Sequence, residues 1–216
     1  MTTDLFDDAP HEASITLIAP GAALLHGFAR DIDAALLEAF EAVIAQAPLR
    51  HLVTPGGRTM SVAMSNCGPL GWVSSSSGYR YTARDPLSGQ PWPAMPALWL
   101  DLAVRAAAQA GYLSFRPDAC LVNAYAPGTR LSLHQDKDET DLGAPIVSVS
   151  LGLPAVFQFG GDQRSDRPQR LRLVHGDVVV WGGASRLAYH GIAPLADGTH
   201  ALLGRRRINL TFRQAG

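Results

Sequence analysis

The chain has 216 residues, 47% of them hydrophobic and 17% charged, with a formal net charge of −1; this composition supports one sizeable apolar core and excludes a disordered or low-complexity chain. Near-neutral charge also excludes nucleic-acid binding through a global excess of Lys and Arg, so phosphate contacts would need local patches. Arg164, Arg167, Arg170 and Arg172 form one such stretch and Arg205, Arg206 and Arg207 another, with a solvated face as the alternative reading.

Met1 to Pro10 is acidic and lacks a basic start followed by an apolar core, and no later stretch approaches membrane-span length, so neither secretion nor membrane insertion is expected. From Asp31 to Ala47, Ile32, Leu36, Ala39, Phe40 and Val43 recur at helical spacing and predict an amphipathic helix. Between Pro48 and Pro96 the chain turns to Gly, Ser, Pro and aromatic residues, which predict hairpins and long loops of the kind that form lids or binding surfaces. The two cysteines, Cys67 and Cys120, are too few and too far apart for a disulfide framework or a CxxC metal site, and they fit reduced thiols in a cytoplasmic protein. A second helix is predicted over Ala97 to Ala110, with Leu98, Trp99, Leu102, Ala103 and Ala106 on one side and Gly111 as its stop. Beyond it come short β-rich runs: Cys120 to Tyr125, Pro145 to Leu153, Ala155 to Phe159, Leu171 to Trp181, Leu187 to Ile192 and Arg207 to Phe212. Many strands joined mostly by turns predict an antiparallel barrel or jelly roll; the fold class is α+β, mainly β.

Within that frame, His134 and Asp136 follow Leu131-Ser132-Leu133, so an extended chain points both to one face. A jelly roll can bring a later strand ending in His190 beside them. Two imidazoles and one carboxylate on one side of an ion leave positions open for co-substrate and oxygen, the facial triad of non-haem Fe(II) oxygenases. Zinc accepts the same ligands. In the last strand Arg207, Asn209, Thr211 and Arg213 alternate onto one face, and a polar face inside a barrel needs a ligand. The two arginine backbones lie about 20 Å apart at roughly 3.3 Å per residue, so their side chains can reach a short dicarboxylate between them, to which bidentate guanidinium pairing is suited.

These segments closely resemble the bacterial AlkB demethylases: NAYAPG from Asn123, LSLHQDKDE from Leu131, IVSVSLGLPAVFQFGG from Ile146, HGDVVVWGG from His175 and RINLTFRQAG from Arg207. TMSVAMSNCGPLGW from Thr59 and PWPAMP from Pro91 extend the likeness over nearly all the chain after the first helix. The resemblance implies a double-stranded β-helix (jelly roll) core with N-terminal helices and a nucleotide-recognition lid. It divides the chain into residues 1–47 (extension and helix), 48–96 (lid) and 97–216 (helix and catalytic core), within one compact domain.

It also implies that His134, Asp136 and His190 hold Fe(II), that Arg207 and Tyr125 bind the distal carboxylate of 2-oxoglutarate, and that Arg213 holds the carboxylate beside the keto group. Asn123, Asn209 and Thr211 would line that pocket, and Trp181 would pack beside the iron. On the substrate side, Trp72 would stack on the damaged base opposite His190, with Met64 lining the pocket and Tyr79 contacting phosphate. Asp138 would read the exocyclic amino group and favour the positive charge of N1-methyladenine or N3-methylcytosine. Thr54, Arg130, Lys137 and Arg164 would face the backbone, although Arg130 stands where the best-known pattern has Lys.

The implied reaction uses 2-oxoglutarate and O2 as co-substrates and releases formaldehyde, succinate and CO2. The implied partner is alkylated DNA, single-stranded by preference, with RNA open; the implied state is a monomer in the cytoplasm. A protein or small-molecule substrate, and a non-catalytic reader of damaged nucleic acid, are the competing readings.

Overall fold

The computed structural model describes residues 14–216; the acidic start at Met1 to Pro10 lies outside them. The described chain opens with a hairpin, β1 (Ile15–Ala19) and β2 (Ala22–Leu25), which the sequence reading passed over. It turns at Gly21, whose φ is 76° and where a Cβ would lie only 2.5 Å from the Gly182 carbonyl oxygen, so no side chain fits. After a short 3-10 turn comes α1 (Asp33–Gln46), burying Leu36, Phe40 and Val43, close to the predicted helix.

The Gly- and Ser-rich region is more regular than its composition indicates. It holds β3 (Arg50–Val53), β4 (Thr59–Cys67) and a separate hairpin of β5 (Gly71–Ser75) and β6 (Gly78–Thr82). Then follow α2 (Ala97–Gln109), β7 (Ala119–Tyr125), β8 (Leu131–His134), β9 (Ile146–Gly152) and β10 (Ala155–Phe159). The chain ends with β11 (Gln169–Leu173), β12 (Val178–Trp181), β13 (His190–Ile192) and β14 (Arg207–Arg213).

Apart from the β5–β6 hairpin, the described strands form two antiparallel sheets. The larger has eight strands in the order β1-β2-β12-β9-β14-β7-β4-β3, and the smaller has four in the order β11-β10-β13-β8. Except at the β10–β11 hairpin, strands β7 to β14 thus alternate between sheets, which is the jelly roll, and β1 to β4 extend the larger sheet at both edges. Within residues 48–96, β3 and β4 belong to this sheet, and β4 pairs with β7 from Ala63↔Ala124 to Cys67↔Cys120.

Two predicted strands need correction. Leu171 to Trp181 is two strands in different sheets, divided by a turn at His175-Gly176-Asp177. Gly176 has a φ of 88°, and the buried Asp177 carboxylate accepts the Val174 and Gly27 amides at 2.8 and 2.9 Å. Leu187 to Ile192 is extended only from His190, after a 3-10 turn at Gly183–Ser185.

The large sheet is covered on both faces. Ile208, Leu210 and Phe212, with Val122, Val147, Val149 and Val180, pack on α1 and α2 through Phe40, Trp99, Leu102 and Ala106. Ile146, Phe157, Phe159, Val179, Trp181 and Ile192 fill the space between the sheets. At about 1.5–3 kcal/mol for each large apolar side chain fully removed from water, these two layers fix the register that places every polar residue of β14 on the inner face. No helix among the described residues is long and apolar enough to cross a membrane.

Candidate active site and metal centre

His134 closes β8 and His190 opens β13, and the two are paired directly across the small sheet, with ring centroids 4.4 Å apart. Asp136 lies two residues beyond His134, with Oδ1 at 3.6 Å from His134 Nε2 and Oδ2 at 3.8 Å from His190 Nε2. One ligand atom from each of the three lies within 4.8 Å of the others.

Main-chain carbonyls set the imidazoles for coordination. His134 Nδ1 donates to the Ser132 carbonyl and His190 Nδ1 to the Ala188 carbonyl, each at 2.9 Å. A carbonyl only accepts, so each Nδ1 carries the proton and each Nε2 lone pair is free to bind an ion. Burial, then the neighbouring His134, pushes His190 down to about 4, which keeps it neutral near pH 7. Burial alone would raise the Asp136 pKa, but Arg213, then His190 and His134, outweigh it and hold the carboxyl well below the usual range. Arg213 Nε and Nη2 both donate to Oδ2, at 2.9 and 2.6 Å, leaving Oδ1 as the carboxylate oxygen without a hydrogen bond. Two neutral imidazoles and one carboxylate with open coordination fit Fe(II).

The inner face of β14 leads away from this centre. Across it, Arg207 registers with Tyr125, Asn209 with Asn123 and Thr211 with Leu121 on β7. Asn209 Nδ2 donates to Ser148 Oγ at 2.8 Å and to the Val149 carbonyl at 2.9 Å, while its Oδ1 accepts Thr211 Oγ1 and Asn123 Nδ2 at 2.9 and 3.1 Å. Arg207 is 1% exposed, lies 4.9 Å over the Tyr125 ring and donates Nη2 to Ser150 Oγ at 2.9 Å. Among the described residues its Nε and Nη1 have no partner, nor does Asn123 Oδ1.

A buried guanidinium with two unused donors and no anion beside it is costly unless a ligand supplies one, so the residues fit the distal carboxylate of a keto diacid. The two arginines are not equivalent, however. Arg213 is already engaged by Asp136 and lies 3.4 Å from Glu139 Oε1, whereas Arg207 has two donors to spare.

All of the predicted site residues line one cavity of about 650 Å3. His134, Asp136 and His190 meet Asn123, Tyr125, Arg207, Asn209, Thr211 and Arg213 in it; Thr54, Met64, Trp72, Tyr79, Arg130, Lys137, Asp138 and Arg164 also line it. Trp181 packs 4.9 Å from the His190 ring and 6.0 Å from Phe157, walling the metal side with apolar surface.

The aromatic side has a specific arrangement. Asn66 clamps the Trp72 main chain, accepting its amide at 2.9 Å and donating to its carbonyl at 3.0 Å. The Trp72 ring stacks on Tyr79 at 5.1 Å and 18°, and its Nε1 donates to Asp138 Oδ2 at 2.8 Å. The carboxylate expected to read a base therefore holds the indole in this structure, and the ring expected to stack on a base stacks on Tyr79.

Sequence reasoning did not single out Tyr81, Glu139, Arg186, Ser148 or Ser150. Glu139 ends the LSLHQDKDE motif, and Ser148 and Ser150 alternate inward along β9, so those signals were present. Tyr81 and Arg186 carried none, because their partners lie 58 and 47 residues away.

Comparison with known proteins agrees with this geometry. A relative from Salmonella typhimurium, alpha-ketoglutarate-dependent dioxygenase AlkB, is 60% identical over 213 residues, covering 98% of this chain and 97% of its own. The tRNA demethylase abh1 of Schizosaccharomyces pombe is 33% identical over 67% of this chain and 52% of its own. A solved structure described as OsALKBH1 superposes with a TM-score of 0.83 at 29% identity, covering 93% of this chain and all (100%) of that one. With the family model of the 2OG-Fe(II) oxygenase superfamily matching residues 21–213, the chain belongs to that superfamily and, within it, to the AlkB dioxygenases.

Proposed function

We propose that this chain oxidatively removes alkyl groups from bases of the N1-methyladenine and N3-methylcytosine type in nucleic acid. The observation that carries the reading is that one cavity is lined by the His134, Asp136 and His190 centre and also by Trp72, Asp138 and a basic set of Arg130, Lys137 and Arg164. A metal site alone fits any oxygenase; an aromatic ring, a carboxylate and phosphate-pairing cations around the same cavity fit a cationic base on a phosphate backbone.

In this reading His134, Asp136 and His190 hold Fe(II). Arg207, with Tyr125, takes the distal carboxylate of 2-oxoglutarate, Arg213 the one beside the keto group, and Asn123, Asn209 and Thr211 line the pocket. When bound, iron with 2-oxoglutarate and O2 supplies the oxidation of the N-methyl carbon, yielding succinate, CO2, formaldehyde and the restored base. The protein's share is position and exclusion of water. Trp181 and Phe157 keep the metal side dry, Trp72 offers a face to the base opposite His190 with Met64 beside it, and Asp138 selects positive charge through Coulomb attraction. Because Trp72 is stacked on Tyr79, an entering base exchanges one aromatic partner for another, which frees Tyr79 for a phosphate. Thr54, Arg130, Lys137 and Arg164 steer the backbone.

Residues 48–96 act as the recognition lid on a 97–216 core, with 1–47 as an extension and helix. The enzyme works as a cytoplasmic monomer, prefers single strands because an unstacked base is cheaper to seat, and has DNA as its main substrate, with RNA a second candidate.

The test is turnover of an oligonucleotide carrying one N1-methyladenine, with Fe(II) and 2-oxoglutarate. Formaldehyde together with restored adenine supports the reading. Succinate formed without repair points to a protein or small-molecule substrate, and oligonucleotide binding without either product points to a non-catalytic reader.

A further inference from the structure

Two hydrogen bonds, one exposed and one partly buried, join the β5–β6 hairpin to the loop that carries Asp136. Trp72 and Tyr81 face each other across the hairpin, and this one rung is docked on two consecutive acids. Trp72 Nε1 donates to Asp138, and the Tyr81 hydroxyl donates to Glu139 Oε1 at 2.6 Å.

Glu139 is buried and its other oxygen accepts Arg186 Nη2 at 3.0 Å, while Arg213 Nε stands 3.4 Å from Oε1. Arg186, also buried, directs its remaining donors to main chain, Nη1 to the Asp136 carbonyl at 2.7 Å and Nε to the Ala144 carbonyl at 2.9 Å. Asp136 is thus gripped twice, its backbone by Arg186 and its carboxylate by Arg213. Both guanidiniums meet at Glu139, and the hairpin's Tyr81 is bonded to the same carboxylate. Mutating groups that orient a metal ligand typically costs about 10–100-fold in affinity for the ion.

We propose that Tyr81 and Arg186 are positioning residues of the metal centre, which act through Glu139 to fix Asp136 and tie it to the hairpin bearing Trp72. This rests on the metal and base roles assigned above. Occupancy of the Trp72 face and occupancy of the His-Asp-His site therefore change each other's affinity, and by linkage they do so by the same factor.

The experiment uses Co(II) as a visible, non-turning-over probe. It is titrated into metal-free protein with 2-oxoglutarate present, with and without a single-stranded oligonucleotide carrying N1-methyladenine, while ligand-field absorption is followed. The wild type is expected to bind Co(II) about fivefold more tightly with the oligonucleotide. Tyr81→Phe, which removes one oxygen and keeps the ring, is expected to weaken Co(II) binding about threefold, to alter the spectrum and to erase the tightening, with metal-free melting temperature and oligonucleotide binding unchanged. Arg186→Lys and Glu139→Gln are expected to weaken Co(II) binding about tenfold.

A Tyr81→Phe protein with wild-type Co(II) affinity, spectrum and tightening would overturn the proposal. So would a melting temperature that falls while Co(II) affinity and spectrum stay put, because that is a purely structural role. If the wild type bound no Co(II), the metal-centre reading would fall first and this proposal with it; if it bound Co(II) but no oligonucleotide, the base reading and the coupling would fall together.

Discussion

Arg207→Met separates a residue kept for stability from one kept for a ligand. The guanidinium is 1% exposed, bonded once to Ser150 and stacked on Tyr125, with Nε and Nη1 unpaired. Methionine keeps much of the length and removes the charge. Losing the Ser150 bond costs about 1 kcal/mol and losing the ring contact about 1 more, while relieving an unpaired buried cation returns about 1–4 kcal/mol. The net change without co-substrate lies between about −1 and +2 kcal/mol, which for a chain of this size is a shift between about −4 and +8 °C, at about 2–4 °C per kcal/mol.

Binding behaves differently. Two charge-assisted bonds from Nε and Nη1 to a carboxylate are worth about 1.5–3 kcal/mol each, so the variant loses about 100- to 10,000-fold in affinity for 2-oxoglutarate. Thermal melting with metal, with and without 2-oxoglutarate, reads both effects. At 100 times its Kd the co-substrate stabilises the wild type by about 2.7 kcal/mol, or roughly 5–10 °C, and at the same concentration it leaves the variant unmoved. A co-substrate-free variant that melts about 10 °C lower, or one still stabilised by 2-oxoglutarate, refutes the reasoning.

Three further outcomes are expected. His134→Ala removes a metal ligand and abolishes repair; full activity in a metal-controlled assay sinks that assignment. Asp138→Ala changes base preference while sparing 2-oxoglutarate oxidation in the absence of nucleic acid, and because Asp138 also holds the indole, Trp72→Phe serves as the control that loses the N–H without losing the carboxylate; comparison of N1-methyladenine with an uncharged N-methyl lesion checks both, and an unchanged preference counts against a reading role. Arg164→Ala lowers the salt dependence of single-strand binding by about 0.7 in the log–log slope, the contribution of one phosphate contact; an unchanged slope places Arg164 off the backbone path.

The site was more legible in the sequence than the fold around it, and the reason lies in the sheets. Every residue of β14 is buried, so strict alternation is the only way for Ile208, Leu210 and Phe212 to reach the helices while Arg207, Asn209, Thr211 and Arg213 reach the cavity, and alternation is visible in sequence. His134 and Asp136 were readable for the same local reason. The opposite held at Leu171 to Trp181, where the apolar residues of half-exposed β11 and of wholly buried β12 read as one run, and only Gly176 and Asp177 mark the change of sheet. The β1–β2 hairpin was missed because β1 exposes Ile15 and Leu17, at 44% and 81%, while β2 is buried throughout, so neither strand alternates.

What no period encodes is pairing between distant buried charges. Asp136 is held by Arg213, 77 residues away, and by Arg186 at 50. Such contacts are chosen by the closed fold, in which a buried charge is costly unless it is paired. The metal ligands sit at the ends of strands, where the ladder alone does not fix their orientation, so the distant arginines supply the constraint that the ladder lacks. A carboxylate held only by its strand would be free to rotate both oxygens toward the ion; with Oδ2 pinned by two N–H groups, Asp136 presents Oδ1. The open coordination needed for co-substrate and oxygen therefore depends on residues that never touch the metal.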